Sequence, residues 1–331
     1  VSSNPNPFAA SMESRVAGDL YLHLALERLA YMSEHFTVDG PPSLGEGASV
    51  LDSPNMLWCE DTWDPKRVEE AIACVEKQGP PLREAMVRFY ERDAKKNWDM
   101  FYKRNGTNFF KDRHYLARVY PELRDHEPAQ NPRIRRFLEV GCGVGNALFP
   151  LLESQPHLNG IAVDFSSEAI QVLKTHKNYL SLNEQGRCVA HVCDITKDEL
   201  PPEAYIGGGL DVVILLFCLS AISPENMRRS VERLSGALKP GGVLLFRDYG
   251  RFDEAQLRFG KGRKLGDNFY VKQDGTRVFY FTCDEVSNLM TTVGLETLEV
   301  DFIRRQYANR AQQVARQRVW IHGRFQKRMG S

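Results

Sequence analysis

An α/β fold is predicted for this chain: a mostly parallel, doubly wound sheet of seven strands with helices on both faces. Three observations carry the prediction. From Arg136 onward, short runs rich in Val, Ile and Leu alternate with helical patterns, as expected of strands buried on both faces. The first of these runs leads into Phe137-Leu-Glu-Val-Gly-Cys-Gly-Val-Gly-Asn146. Strand, glycine loop and helix in that order build a nucleotide-type cofactor site at the carboxyl end of a parallel strand. The next two runs end in acids, Asp164 and Asp194, where a strand end can present a carboxylate to a ligand.

The elements follow in order. Strands are expected at 136–140, 159–163, 188–193, 211–217, 242–247, 296–302 and 318–326. Helices are expected at 145–154, 166–176, 224–237 and 283–292. Lys239-Pro-Gly-Gly242 is a sharp stop between a helix and a buried strand. Val271 to Phe281 centres on Asp274-Gly275 between β-prone runs, a hairpin signal. It lies in an insertion at about 251–281, where a substrate clamp can be built. Upstream, Ser14 to His35 places Leu20, Leu24, Leu26, Leu29 and Ala30 at roughly helical spacing. Val38 to Pro54 reads as a linker. Pro65 to Lys96 is helical, with a break at Gly79-Pro-Pro81. The expected division is a helical, partly disordered extension (1–94), an aromatic and basic segment (95–135) and the α/β domain (136–328).

Composition excludes several classes. No run of about 18 apolar residues occurs, so no membrane span is expected. No basic segment followed by an apolar one opens the chain, and the expected location is the cytoplasm, with the nucleus as a second compartment. The seven cysteines form no Cys-x-x-Cys pair, which fits a reducing compartment and no metal site. Net charge is zero, yet Phe302–Ser331 holds eight Lys/Arg and no acid. Asn97–Arg136 holds nine Lys/Arg against five Asp/Glu. Two basic segments in a neutral chain suit a nucleic-acid binder, although solvated surface charge gives the same pattern.

The glycine spacing narrows the cofactor. A dinucleotide fingerprint needs Gly-x-Gly-x-x-Gly. Gly141 and Gly143 fit it, but Asn146 occupies the third place and Gly145 comes one residue early. Glu139-x-Gly141-x-Gly143-x-Gly145-Asn resembles motif I of the class I, Rossmann-like S-adenosylmethionine (SAM) methyltransferases. On that reading Asp164 accepts the ribose hydroxyls, or else caps the helix starting near Ser166. Asp194 meets the adenine amino group, Ile195 lies near the ring, and Leu216 covers the adenine or the methionine chain.

A more specific resemblance begins at Asn97-Trp-Asp-Met-Phe-Tyr-Lys-Arg-Asn-Gly-Thr-Asn-Phe-Phe-Lys-Asp-Arg-His114. It continues through Cys193-Asp-Ile-Thr-Lys-Asp198, Leu219-Ser-Ala221, Phe246-Arg-Asp-Tyr-Gly250, Leu265–Arg277 and Arg318–Phe325. Over about residues 95 to 327 the chain resembles the tRNA 3-methylcytidine (m3C) methyltransferases of the methyltransferase-like (METTL) group. The resemblance implies that Trp98 and Tyr102 fold over SAM, with Glu139, Gly141, Gly143, Asp164, Asp194, Ile195 and Leu216 completing the site. It implies S-adenosylhomocysteine (SAH) as the product, tRNA as the substrate and position 32 of the anticodon loop as the target. In some relatives it also implies dependence on seryl-tRNA synthetase or another tRNA-bound protein.

The acceptor side follows from chemistry. An RNA enzyme needs cations for phosphates and flat groups for a splayed base. Phe110, Lys111, Arg113 and His114 are candidates, and Tyr249 is a stacking candidate. Neutral cytosine carries an N3 lone pair, so no general base is needed. Orientation helps, as does a negative group near the cationic product. Asp248 and Arg247 are the catalytic candidates, with a purely structural role for Asp248 the alternative. Two other functions stay open at this point: a protein or small-molecule methyltransferase, and a non-catalytic SAM-binding subunit.

Overall fold

The computed structural model describes residues 49–52, 56–124 and 134–329. The helix expected over 14–35 and most of the 38–54 linker lie outside the described residues. The strands are β1 (Trp58–Glu60), β2 (Arg135–Val140), β3 (Leu158–Asp164), β4 (Cys188–Val192), β5 (Leu210–Leu216), β6 (Leu238–Tyr249), β7 (Lys264–Gly266), β8 (Phe269–Val271), β9 (Arg277–Phe279), β10 (Leu295–Asn309) and β11 (Val314–Lys327). One sheet runs β1-β10-β11-β6-β5-β2-β3-β4. β2 to β6 are mutually parallel, and β11, β10 and β1 extend the sheet antiparallel. Chain order reverses between β2 and β5, so a crevice opens there at the strands' carboxyl ends.

The seven expected strands are all in this sheet, and β1 adds an eighth. Three residues are too few to reveal a period of two. β1 forms by pairing with the overlong β10, Trp58 opposite Tyr307. The central strands read as apolar runs because both faces are covered. Along β5, Val213 and Leu215 join the core under the helices Pro224–Ala237 and Cys283–Thr292. Val212, Ile214 and Leu216 join the opposite core under Leu148–Ser154 and Ser167–Thr175. Lys239–Gly242 is a bulge: Leu210 pairs with Leu238, but Val212 pairs with Val243. Pro240, lacking an N–H, sits where the ladder is interrupted.

The 95–123 segment wraps from the cofactor crevice onto the sheet. Its helix, Ala94–Asn105, stops at Gly106, whose φ of 53° suits glycine. Tyr115, Leu116, Tyr120 and Leu123 are buried against the sheet. The Tyr120 hydroxyl donates to the Phe246 carbonyl at 2.8 Å, and its ring stacks on His322 at 4.7 Å.

The insertion is a small sheet, β7-β8-β9, with the expected hairpin between β8 and β9. The extension braces it. Leu82, Val87 and Tyr90 pack on Leu265, Phe269 and Val271. Gln78 donates to the Gln256 carbonyl at 2.7 Å and accepts from the Tyr270 hydroxyl at 2.8 Å. The helices Pro65–Glu76 and Glu84–Arg92 thus brace the insertion, the first through Cys74 on the Leu257 carbonyl and the second through Val87 and Tyr90. Tyr120→Phe removes one buried hydrogen bond without changing ring volume. Urea unfolding is expected to show a loss of about 1 kcal/mol.

Candidate active site

The glycine loop turns directly off β2. The Gly141 and Cys142 amides both donate to the Val163 carbonyl, at 2.8 and 3.1 Å. Gly141, Gly143 and Gly145 all have positive φ: 69°, 54° and 94°. A Cβ on Gly141 would come 2.6 Å from the Cys218 sulfur, and one on Gly143 would come 2.7 Å from the Tyr102 hydroxyl. Conformation and space both demand glycine here.

Asp164 holds this loop. One carboxylate oxygen accepts from the Gly143 amide and the other from the Ser166 amide, each at 2.9 Å. Ser166, not Asp164, caps the next helix, accepting from the Ala169 amide at 3.2 Å. Burial lifts the Asp164 carboxyl to about 6, against the pull of those two amides. Each oxygen keeps lone-pair capacity for a further donor.

The helix Ala94–Asn105 lies over this floor. Ser166 donates to Asp99 at 2.6 Å and Lys95 donates to Ser167 at 3.0 Å, bolting the helix to the neighbouring helix start. Trp98 stacks on Tyr102 at 5.9 Å. Glu139, at the end of β2, is buried, and burial lifts its carboxyl to about 8 although Arg113 pulls it down. Its Oε2 has no hydrogen-bond partner among the described residues. The Arg113 amide donates to the Asn146 carbonyl at 2.7 Å, and its guanidinium lies 4.9 Å from the Phe217 ring.

Asp194 stands at the end of β4. Its Oδ1 accepts from the Thr196 amide and hydroxyl at 3.0 and 2.7 Å, and Lys197 pairs with Oδ2 at 3.1 Å. Burial opposes ionisation, but these partners win and hold the carboxyl below its usual range. The Ile195 side chain is committed to the core, and Leu216 is buried on the opposite sheet face.

Beyond Trp98 and Phe217, a cavity of about 360 Å³ opens between the helix Ala94–Asn105, the end of β6 and the insertion. Its aromatic lining includes Trp98, Phe110, Phe217, Tyr249, Phe259 and Tyr280. Phe217 lies 5.1 Å from Tyr249, and Tyr249 lies 5.9 Å from Tyr280. Arg104, Arg258, Arg263, Lys272, Arg277 and Arg318 line it too, against Glu254 and Asp274. Both acids are engaged: Glu254 pairs with Arg316 at 2.6 Å, and Asp274 accepts from the Thr276 amide at 2.9 Å. The chamber thus offers flat rings and cations to an acceptor, and it shares the Trp98–Phe217 wall with the cofactor floor.

A methyltransferase-domain family model matches residues 138–244. The human protein named tRNA N(3)-cytidine methyltransferase METTL6 is 44% identical over 241 residues, covering 72% of this chain and 81% of its own. The Danio rerio protein named tRNA N(3)-cytidine methyltransferase METTL2 is 38% identical over 317 residues, covering 85% and 88%. A Drosophila melanogaster protein, tRNA N(3)-methylcytidine methyltransferase Mettl2, is 38% identical over 315 residues, covering 91% and 94%. The chain belongs to the tRNA N(3)-cytidine methyltransferase family.

The cofactor of such a methyltransferase is SAM, and the residues present fit it. Bare backbone at Gly141–Gly145, the spare capacity of Asp164 and the orphaned buried Glu139 oxygen make a cradle with acceptors for hydroxyl and ammonium groups. Among the described residues, no group of three or more His, Cys, Asp or Glu is placed to hold a metal.

Several expected residues sit elsewhere than the sequence suggested. Arg247 and Asp248 do not meet one base together, because strand alternation sends them to opposite faces. Arg247 lies against the Tyr115 ring at 4.9 Å. Asp248 is fully buried and accepts from the Ser220 and Tyr249 amides, each at 2.9 Å. Burial raises its carboxyl to about 6, and neither residue lines the cavity. Phe110 and Tyr249 do line it. Lys111, Arg113 and His114 do not; the Arg113 guanidinium lies over the Phe217 ring at 4.9 Å, and its charge favours ionised Glu139.

The basic tail is largely spent inside the fold. Arg318 pairs with Asp253 at 2.8 Å, Arg324 with Glu122 at 2.8 Å and Arg316 with Glu254 at 2.6 Å. Arg305 covers the Trp58 ring at 4.1 Å, and Lys327 donates to the Leu238 carbonyl at 2.7 Å. Sequence reasoning missed Phe217, Arg277 and Phe259 as lining residues. Two are apolar and Arg277 finds its partners far away in sequence, so only the fold brings them together.

Glu139 makes a pH prediction. An unfolded glutamate ionises near 4.5, the folded one near 8. Between these values the folded state holds more protons, so its stability falls as pH rises. The melting temperature of Glu139→Gln is expected to rise relative to wild type on going from pH 5 to pH 8. An unchanged difference across that range would remove the buried, unpaired carboxylate from the account.

Proposed function

We propose that this chain is a SAM-dependent tRNA methyltransferase that forms N3-methylcytidine in the anticodon loop, at position 32. The observation that carries the reading is the aromatic, cationic chamber sharing a wall with the glycine-loop floor. A splayed pyrimidine needs rings to stack on and its flanking phosphates need cations. The lining offers both. The target position and a tRNA-bound partner such as seryl-tRNA synthetase belong to the same proposal, supported by family membership.

SAM supplies an electrophilic methyl group on a sulfonium. Asp164 binds the ribose, Asp194 the adenine amino group and Glu139 the ammonium, while Arg113 takes the carboxylate. Trp98 and Tyr102 exclude water from above. On the acceptor side, Tyr249 and Phe217 hold the cytosine plane, and Arg104, Arg258 and Arg263 take phosphates. No residue needs to remove a proton, because neutral N3 already carries its lone pair. The work left to the protein is alignment, the factor worth most when two bound reactants meet. Asp248 contributes by holding the Ser220 amide, not by touching the base.

The test is incubation of the chain with SAM and unmodified tRNA, with and without seryl-tRNA synthetase, followed by nucleoside mass spectrometry. N3-methylcytidine at position 32 is expected. Methyl label found on protein and never on RNA would falsify the reading. Asp164→Ala loses two hydrogen bonds to a charged group, so SAH affinity is expected to drop roughly 100-fold. Tyr249→Ala is expected to lower kcat/KM for tRNA by about 10-fold, the worth of one base stack, with SAH affinity unchanged.

A further inference from the structure

We propose that Arg277 is the positioning residue that fixes the wall of the acceptor chamber, tying the extension, the insertion and the loop after β5 into one frame. The inference rests on the methyl-transfer reading above.

Arg277 stands at the start of β9, and its side chain is only 6% exposed. One guanidinium nitrogen pairs with Glu91, in the helix Glu84–Arg92. The other donates to the Ala221 carbonyl at 3.1 Å. The guanidinium carbon lies 5.5 Å from the Phe269 ring on β8. Three regions far apart in sequence therefore converge on one planar fork. A lysine cannot replace it, because a single point charge cannot serve two partners in fixed directions and stack as well.

The loop that Arg277 grips is the chamber wall. It begins at Phe217, whose φ of 51° is costly for a bulky side chain. Such a conformation persists only when its surroundings impose it. Two clamps hold the loop that follows it. Asp248 accepts from the Ser220 amide, and Arg277, from the insertion, holds the carbonyl of the next residue. Phe217, Ser220 and Ala221 all line the chamber. A second contact repeats the coupling: the Asn97 side-chain amide donates to the Gly275 carbonyl at 3.0 Å. Asn97 adjoins Trp98 in the helix over the cofactor floor, and Gly275 lies two residues from Arg277. A shift of the hairpin thus moves the chamber wall and the cofactor cover together.

Steady-state tRNA methylation by the full chain tests this, with SAH binding by calorimetry and melting temperature measured on the same samples. In Arg277→Lys, kcat is expected to fall about 10- to 100-fold, the cost of a misplacement of about 1 Å, while SAH affinity holds. Glu91→Gln keeps its shape at a half-exposed position and is expected to fold even if the first variant does not. It should lower kcat in the same direction by a smaller factor. The double variant should be no worse than Arg277→Lys alone, since the two residues act as one unit. An active wild type beside variants of undiminished kcat overturns this inference alone. So does a deficit that vanishes well below both melting temperatures, since instability then explains it. A wild type that methylates no tRNA overturns the functional reading and this inference together.

Discussion

The Asp164 carboxylate joins the end of β3 to the glycine loop through the Gly143 amide and to the next helix through the Ser166 amide. Its own carbonyl accepts from Cys193 at 3.0 Å, fixing the exit of β4. Ser166 passes the restraint on to Asp99 and thereby to the helix that carries Trp98 and Tyr102. Floor, cover and adjacent strand end are all referenced to this one residue, the first two through its side chain and the last through its main chain. Burying a carboxylate is costly, and its rise to about 6 records that cost. The arrangement persists because both oxygens are satisfied by backbone amides.

Floor and chamber are not independent sites. They share Trp98 and Phe217, and the loop that follows the strained Phe217 backbone is held by Asp248 and the insertion. Strain of this kind costs on the order of 1–3 kcal/mol and clusters where geometry must be exact to function. The extension helices reach the site through the insertion, by the Gln78–Tyr270 and Glu91–Arg277 contacts. Residues distant from the cofactor in sequence thus set the shape that an acceptor meets.

Charge shows how composition can mislead. The C-terminal segment is the most basic stretch of the chain, yet its cations largely satisfy acids, rings and carbonyls of the fold. The chamber's cationic lining comes mostly from residues scattered from Arg104 to Arg277, with Arg318 the C-terminal segment's contribution. A run of arginines in sequence reports where charge is, while its availability depends on which acids the fold places beside it.

Local patterns were enough for the sheet's parallel core, the glycine loop and the strand-end acids. Apolar runs, turn residues and a fixed glycine spacing act over a few residues and so are legible in the chain itself. Asp164 was readable because strand, loop and acid follow one another in order. The sequence alone also marked Phe110 and Tyr249, since aromatic residues beside cations are uncommon enough to note. It did not reveal β1, which exists only as a partner of β10. It joined Arg247 to Asp248, although alternation in β6 parts them, because adjacency in sequence says nothing about which face holds the site. It put Arg113 among the residues that meet RNA, whereas the fold sets its guanidinium over the Phe217 ring, outside the chamber lining. Arg277 and Phe217 acquired meaning only when the insertion closed over the loop after β5. Those assignments depend on contacts between separate segments, 28 residues apart for Asp248 and Ser220 and 56 for Arg277 and Ala221. The chain carries no local mark of such contacts, and the tertiary structure alone decided them.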